Sequence, residues 1–323
     1  MPATATHTYF ARDVFDILDK DITAKINIKS FEMFSQGTDP LMFYNIMSLK
    51  PGKKIRNLQR INHREKSRDF FINLVNDIKD RKLYNNENVC SYLAGMISHY
   101  ALDSTVHPFV IYKTGYFNKK DKSSFKYNGI HSLMESFIDM DMISKREKVK
   151  PYKFDVSKMC FNNIILSNDL INVINNVFFN TYGIKDVGNA YKKSLFDMKK
   201  FIHLFRYDKY GIKKCFYKCI DTFTLKKSFR FESLSYNVNI DNDYGFLNNN
   251  HKEWFNPMDN NISSNSSFID LYLRAMKLAR ILIESVFLYF DGNDIDLDSL
   301  FLNKSYLTGL DCDLGFECKY FEF

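Results

Sequence analysis

Several features that would narrow the function are missing from this sequence. Six cysteines are scattered over 323 residues without a Cys-x-x-Cys pair, which argues against a disulfide scaffold and leaves reduced thiols as the expectation. Cys215 and Cys219 fall one turn apart on a predicted helix, a spacing that chance supplies more often than a metal does. No stretch reaches the ~20 apolar residues of a membrane span. The N-terminus has neither the basic start nor the apolar run of a secretion signal, so a cytoplasmic protein is expected. There is no Walker-type glycine-rich loop, no Gly-x-Ser-x-Gly elbow and no internal repeat. The acidic run 291–298 does not have the glycine and the terminal glutamate of a calcium loop at their places and reads as a helix-ending turn.

What remains is ordinary in bulk. Hydrophobic residues at 45% and charged residues at 26% suit a globular chain long enough for a large core. The 20 Tyr and 31 Phe, with abundant Lys, Asn and Ile, look like the codon bias of an AT-rich genome, so aromatic counts carry no functional argument. A net charge of +7 fits an anionic partner such as a phosphate ester or an acidic membrane surface, and fits a solvated lysine-rich surface as well.

The histidines are not ordinary. Five of the seven lie in the first 131 residues. His99, Asp103 and His107 are spaced four apart, as are His131 and Glu135, so each set occupies one face of a helix. Pairs of this kind arise by chance in many helices. Here, however, residues 88–107 read as a helix apolar nearly all round, and three polar groups inside it need partners, because an unpaired buried charge costs several kcal/mol. A metal ion would supply them, and imidazole with carboxylate is the donor set that zinc accepts. His7, Asp39 and His63 are further candidates upstream.

Helical spacing over residues 7–20 predicts a first helix opened by His7. Gly37 and Pro40 make residues 36–40 a turn, placing Asp39 on a loop. Residues 64–80 and 88–107 read as helices, the second closed by Pro108. A lysine-rich loop at 114–129 leads into a helix from about 130 to 143. Further helical segments fall near 165–180, 187–206 and 209–220. A polar, Asn-rich loop spans about 237–265, and the helix 268–290 opens with a capping pattern at Ser267 and Asp270.

The chain resembles the zinc-dependent phospholipase C family, which shares a helical fold and a trinuclear zinc centre with zinc-dependent fungal nucleases. The specific likeness covers residues 2–142, and a looser one the helices beyond. His7 matches the histidine opening the first helix, Asp39 the loop aspartate, and His63 the histidine before the next helix. His99 and Asp103 match the His-x-x-x-Asp block, His107 the histidine after it, and His131 and Glu135 the His-x-x-x-Glu block. The resemblance implies one zinc on Asp39, His63, His99 and Asp103, and a second on His107, His131 and Glu135. A third would take His7, Asp103 as a bridge, and the chain end. Family members use the first mature residue there, and removal of the initiator methionine would present Pro2.

By the same resemblance the fold is all-α, a multi-helix phospholipase C/nuclease-like domain over residues 1–323 with a buried trinuclear zinc site. Its ligand region is 2–142 and its helical remainder 150–323. The implied cofactor is up to three Zn²⁺, and the implied reaction is phosphodiester hydrolysis by in-line attack of a zinc-bridging hydroxide, with Asp39 as the catalytic residue that orients or deprotonates it. A phospholipid is the implied substrate. A nuclease on the same centre and a non-catalytic zinc-binding descendant are the alternatives. Residues 192–231 interleave lysines with aromatics, as a nucleic-acid groove would. Between Asp39 and His63 lies a basic insert, residues 50–56, and no lipid-binding β-sandwich follows the helices, so membrane contact is left open.

Overall fold

A computed structural model describes residues 4–225, 230–236 and 245–322. Within them the chain is all-α, with thirteen α-helices and one small ribbon. The first five are α1 (Thr4–Ile17), α2 (Lys20–Thr23), α3 (Ile28–Phe34), α4 (Lys53–Asn62) and α5 (Ser67–Asp80). Then come α6 (Glu87–Thr114), α7 (Ile130–Glu147), α8 (Val156–Cys160), α9 (Asn168–Tyr182), α10 (Val187–Arg206) and α11 (Lys213–Thr222). Strands β1 (Trp254–Phe255) and β2 (Ser263–Ser264) pair antiparallel before α12 (Phe268–Phe290) and α13 (Leu297–Leu300).

The axis of the fold is α6. Its N-terminus is capped by Asn86, whose side chain accepts from the Asn88 and Val89 amides. Nearly every residue of it is buried, as its all-round apolar sequence requires, against α1, α3, α7 and α12. One connected apolar cluster runs from Ala5 to Tyr306, and a small second one joins Phe205, Tyr217 and Leu234. The capping pattern before α12 forms as expected, with Ser267 and Asp270 bonding reciprocally.

Two expectations need correction. Pro108 does not close α6, which continues to Thr114. The proline removes one backbone bond and costs ~3 kcal/mol, but Phe109, Val110 and Ile111 beyond it are buried in the core and offset that loss. From Lys53 onwards the basic insert is part of α4, whose lysines and arginines are good helix formers and whose Ile55 and Leu58 pack inward. The first helix begins at Thr4 among the described residues, so His7 sits in its first turn and does not open it. Of the Asn-rich loop, 237–244 lies outside the described residues; the rest carries the ribbon, with Trp254 buried and its Nε1 donating to the Ser266 carbonyl at 3.0 Å.

Candidate metal centre

Eight of the nine candidate ligands converge on one place, and the ninth, Pro2, lies outside the described residues. α1 brings His7, the C-cap of α4 brings His63, α6 brings His99, Asp103 and His107, and α7 brings His131 and Glu135. Asp39 begins a short 3-10 turn with Pro40. The preceding Gly37 has φ +56°, and a Cβ there would lie 2.2 Å from the His99 ring, so this close approach of backbone to imidazole requires glycine. All are buried except His131, whose side chain is 31% exposed.

The donors fall into three groups, each with its atoms within 4.8 Å of one another: Asp39 with His63 and His99; His7 with His99 and Asp103; His107 with His131 and Glu135. Asp103 ties them together. Its Oδ1 is 3.2 Å from His7 Nε2, and its Oδ2 is 3.2 Å from His99 Nε2, 3.4 Å from His63 Nε2 and 3.5 Å from His107 Nδ1. His63 Nε2 is also 3.2 Å from Asp39 Oδ1. Glu135 Oε1 is 3.0 Å from His131 Nε2 and 3.3 Å from His107 Nε2.

A second ring of contacts fixes the imidazoles. His99 Nδ1 donates to the Ser35 carbonyl and His107 Nδ1 to the Tyr306 carbonyl, each at 3.1 Å. When Nδ1 carries the proton, the lone pair is on Nε2, the atom that faces the carboxylates; this is the tautomer a metal needs. Gln59 Nε2 donates to Asp39 Oδ1 at 2.9 Å, and Tyr306 stacks on His63.

The electrostatics fit a cation. Burial pushes the Asp103 carboxyl up, but His107, His99 and His7 hold it well below the ordinary carboxylate range. Glu135 is held down in the same way by His131 and His107 against burial, and Asp39 by His63 and His99. His99 is pressed down to about 3, chiefly by burial, whereas His63 is raised to about 9 because the close approach of the Asp103 and Asp39 carboxylates outweighs burial. Three buried carboxylates thus face imidazole nitrogens, yet among the described residues Asp103 Oδ2 and His7 Nδ1 have no hydrogen bond of ordinary geometry. An orphaned carboxylate oxygen among nitrogen donors is what a nitrogen and oxygen zinc site presents when the cation is left out.

Two cavities meet above this floor, sharing His131, Ser132 and Leu307. The larger, about 580 Å³, reaches His63 and Gln59 and is walled by Met42, Phe43, Ile46, Met47, Phe201 and Phe205. The smaller, about 360 Å³, is lined by Tyr116, Lys119, Tyr127 and Arg230.

Sequence reasoning missed three supporting residues. Tyr306 and Gln59 carry no local signal, since each matters only through a partner far off in the chain. Asp139 did carry one, being four residues past Glu135 on the face that starts at His131. Its carboxylate accepts from the free first-turn amides of α1, Ala5 at 3.2 Å and Thr6 at 2.8 Å, and from Arg206 and Tyr236. A carboxylate at a helix N-terminus is favoured by the helix dipole, and here it holds the turn that carries His7.

Neither a curated protein nor a solved structure matches the chain. The sequence model of the family described as zinc dependent phospholipase C matches residues 6–181, a span that starts just before His7 and includes all eight converging side chains, so the chain belongs to the zinc-dependent phospholipase C family.

Proposed function

We propose that this protein is a zinc-dependent phosphodiesterase that hydrolyses a phospholipid between phosphorus and the glycerol oxygen. The observation that carries the substrate is the larger cavity: a space of about 580 Å³ with aliphatic and aromatic walls opens directly onto His63 and His131. A glyceride would lie in it, and the smaller cavity, with Lys119 and Arg230, would take the polar part. Leu307 and Ser132, common to both, would seat the phosphate between them.

Asp39, His63, His99 and Asp103 would hold one ion, His107, His131 and Glu135 another, and His7 with Asp103 a third, completed by Pro2 in the reading made from sequence. Bound zinc supplies a water of lowered pKa and stabilises charge on the entering and leaving oxygens. The chain does the rest. The Ser35 and Tyr306 carbonyls keep two imidazoles in the ligating tautomer, and the apolar walls orient the lipid and exclude bulk water. Asp39 is fully ionised near neutral pH, as its lowered pKa shows; such a carboxylate is a good ligand and orienting group and a weak base, which favours the orienting role. The continuous cluster from Ala5 to Tyr306 supports reading residues 1–323 as one domain.

The nuclease alternative finds less support. In the basic and aromatic stretch 192–231, Phe201 and Phe205 belong to the wall of the apolar cavity and Tyr217 packs on Phe205 at 5.3 Å, while the exposed Tyr210, Phe216 and Phe223 line neither cavity, so the free ring faces of this stretch do not stand beside the centre. Lys226, Lys227 and Phe229 lie outside the described residues. The test is zinc content of the purified protein, followed by assays on a chromogenic phosphodiester, phosphatidylcholine and single-stranded DNA. Stoichiometric zinc with lipid cleaved in preference is expected. Preferential DNA cleavage would replace the lipid reading, and absence of bound zinc would end both.

A further inference from the structure

The basic segment 44–60 is not used by the centre except through Gln59, and it has properties of its own. Between Tyr44 and Arg60 there are five basic residues, Lys50, Lys53, Lys54, Arg56 and Arg60, and no acidic one. All but Arg56 are exposed, and among the described residues none of the five is in an ion pair. Within the same turn three large apolar side chains point outward: Ile46 is 44% exposed, Met47 62%, and Leu49 has no cover at all. A single exposed leucine needs no explanation, but three in four positions bordered by lysines do.

The turn is braced. The Asn45 amide donates to Asp197 at 2.9 Å, the Asn45 side chain donates to the Pro51 carbonyl at 3.0 Å, and Arg56 donates to the Tyr44 carbonyl at 2.9 Å. These bonds present the apolar tip outward and keep it from folding back onto the core. Ile46 and Met47 also form the lip of the larger cavity, and Leu204, 40% exposed, lines the same cavity.

We infer that segment 44–60 is a docking edge that seats the mouth of the apolar cavity on an anionic lipid surface. This rests on the lipid reading of that cavity. The apolar tip would enter the headgroup boundary, while the lysine stems lie along it and their ammonium groups meet lipid phosphates. Charge complementarity selects the occupant: an uninterrupted basic segment matches an acidic bilayer, and the aliphatic tip adds the part that a purely electrostatic partner such as nucleic acid would leave unused. Contact is peripheral, because no helix among the described residues is long and apolar enough to cross a membrane.

The test is sedimentation of the zinc-loaded protein with vesicles of phosphatidylcholine alone and of phosphatidylcholine mixed with phosphatidylglycerol. Two variants avoid residues of the cavity and the centre: Leu49→Ser, and Lys50→Gln/Lys53→Gln/Lys54→Gln together. Binding should favour the anionic vesicles, fall about a hundredfold in the triple variant and fall about tenfold in Leu49→Ser. Circular dichroism and zinc content should be unchanged in both. Equal binding to the two vesicle types, or unaltered binding in either variant, overturns the proposal. So does retention on single-stranded DNA that depends on the three lysines but not on Leu49. Pelleting reads attachment whether or not lipid is cleaved, so a chain that attaches but does not hydrolyse sinks the enzyme reading alone. A chain that cleaves a soluble phosphodiester yet ignores vesicles sinks the docking alone.

Discussion

The ring of Tyr306 lies stacked on the imidazole of His63, with centroids 4.6 Å apart and planes inclined by 25°. The same residue donates its amide to the His63 carbonyl at 3.0 Å and accepts from His107 at 3.1 Å, so it braces histidines of two metal groups at once. Its hydroxyl is buried without a hydrogen-bond partner among the described residues. Two substitutions should therefore behave oppositely. Tyr306→Phe removes an unsatisfied polar atom and keeps the ring, so melting temperature should hold or rise and zinc content should not change. Tyr306→Ala removes the ring and should cost about 3–5 kcal/mol in denaturant unfolding, with loss of zinc. A Phe variant as damaged as the Ala variant would show that the hydroxyl does work of its own.

Asp139 is argued to hold His7 through the first turn of α1. Asp139→Ala strips the acceptor from the Ala5 and Thr6 amides and leaves the buried Arg206 guanidinium without its carboxylate. Breaking a buried pair from one side costs about 3–5 kcal/mol. Zinc should be lost from the His7 group before the others, so titration with a chelator should reveal one weakened site. A variant destabilised to that extent with all zinc equally retained would make Asp139 purely structural.

How far the centre can be read from sequence depends on where each contact is encoded. His99, Asp103 and His107 are neighbours because a helix makes them so, and the same holds for His131 and Glu135; the four-residue spacing contains the geometry. Asp39 is reachable because Gly37 and Pro40 force a turn around it. Tyr306 is invisible in this way, since its role comes from a chain segment about 200 residues beyond His107 folding back over α6. α4 is harder to see because it is short and its apolar stripe is only three residues long, Ile55, Leu58 and Ile61, set among basic and amide side chains. The continuation of α6 through Pro108 is a case of tertiary burial overriding a local signal.

The metal-free chain should have its stability maximum near pH 6.5, the ordinary histidine value. Burial depresses His99 to about 3 and lowers His131, so what they contribute is present above 6.5 and is lost as pH falls below it, for His99 down to about 3. His63 is raised to about 9, where the close approach of the Asp103 and Asp39 carboxylates outweighs burial, and His107 is raised against burial by Asp103 and Glu135. Their contribution is present below 6.5 and is lost as pH rises above it, for His63 through about 9. Zinc requires neutral imidazoles, so the loaded chain should lose the alkaline decline. Melting curves in chelator and in zinc check this. A chelated chain that grows more stable from pH 6.5 to pH 9 would contradict the pairing of His63 with both carboxylates.

Asp103 and Glu135 are both buried carboxylates, but they are not equivalent. The oxygens of Asp103 stand within 3.2 to 3.5 Å of His7, His99, His63 and His107, which together belong to all three groups. Glu135 reaches two histidines of a single group through Oε1. With zinc held as proposed, neutralising Asp103 would remove the negative charge between neighbouring cations and so weaken each of them, whereas neutralising Glu135 would weaken only one. Asp103→Asn should therefore lower both zinc content and phosphodiester hydrolysis more than Glu135→Gln does. Its loss of activity should exceed the ~10–100-fold that follows removal of even an outer partner of a metal ligand. The measurement is zinc per chain after dialysis, set beside turnover of a soluble phosphodiester, with circular dichroism to verify that both variants fold. Equal zinc content in the two variants and the unmodified chain would overturn the proposed bridging role of Asp103.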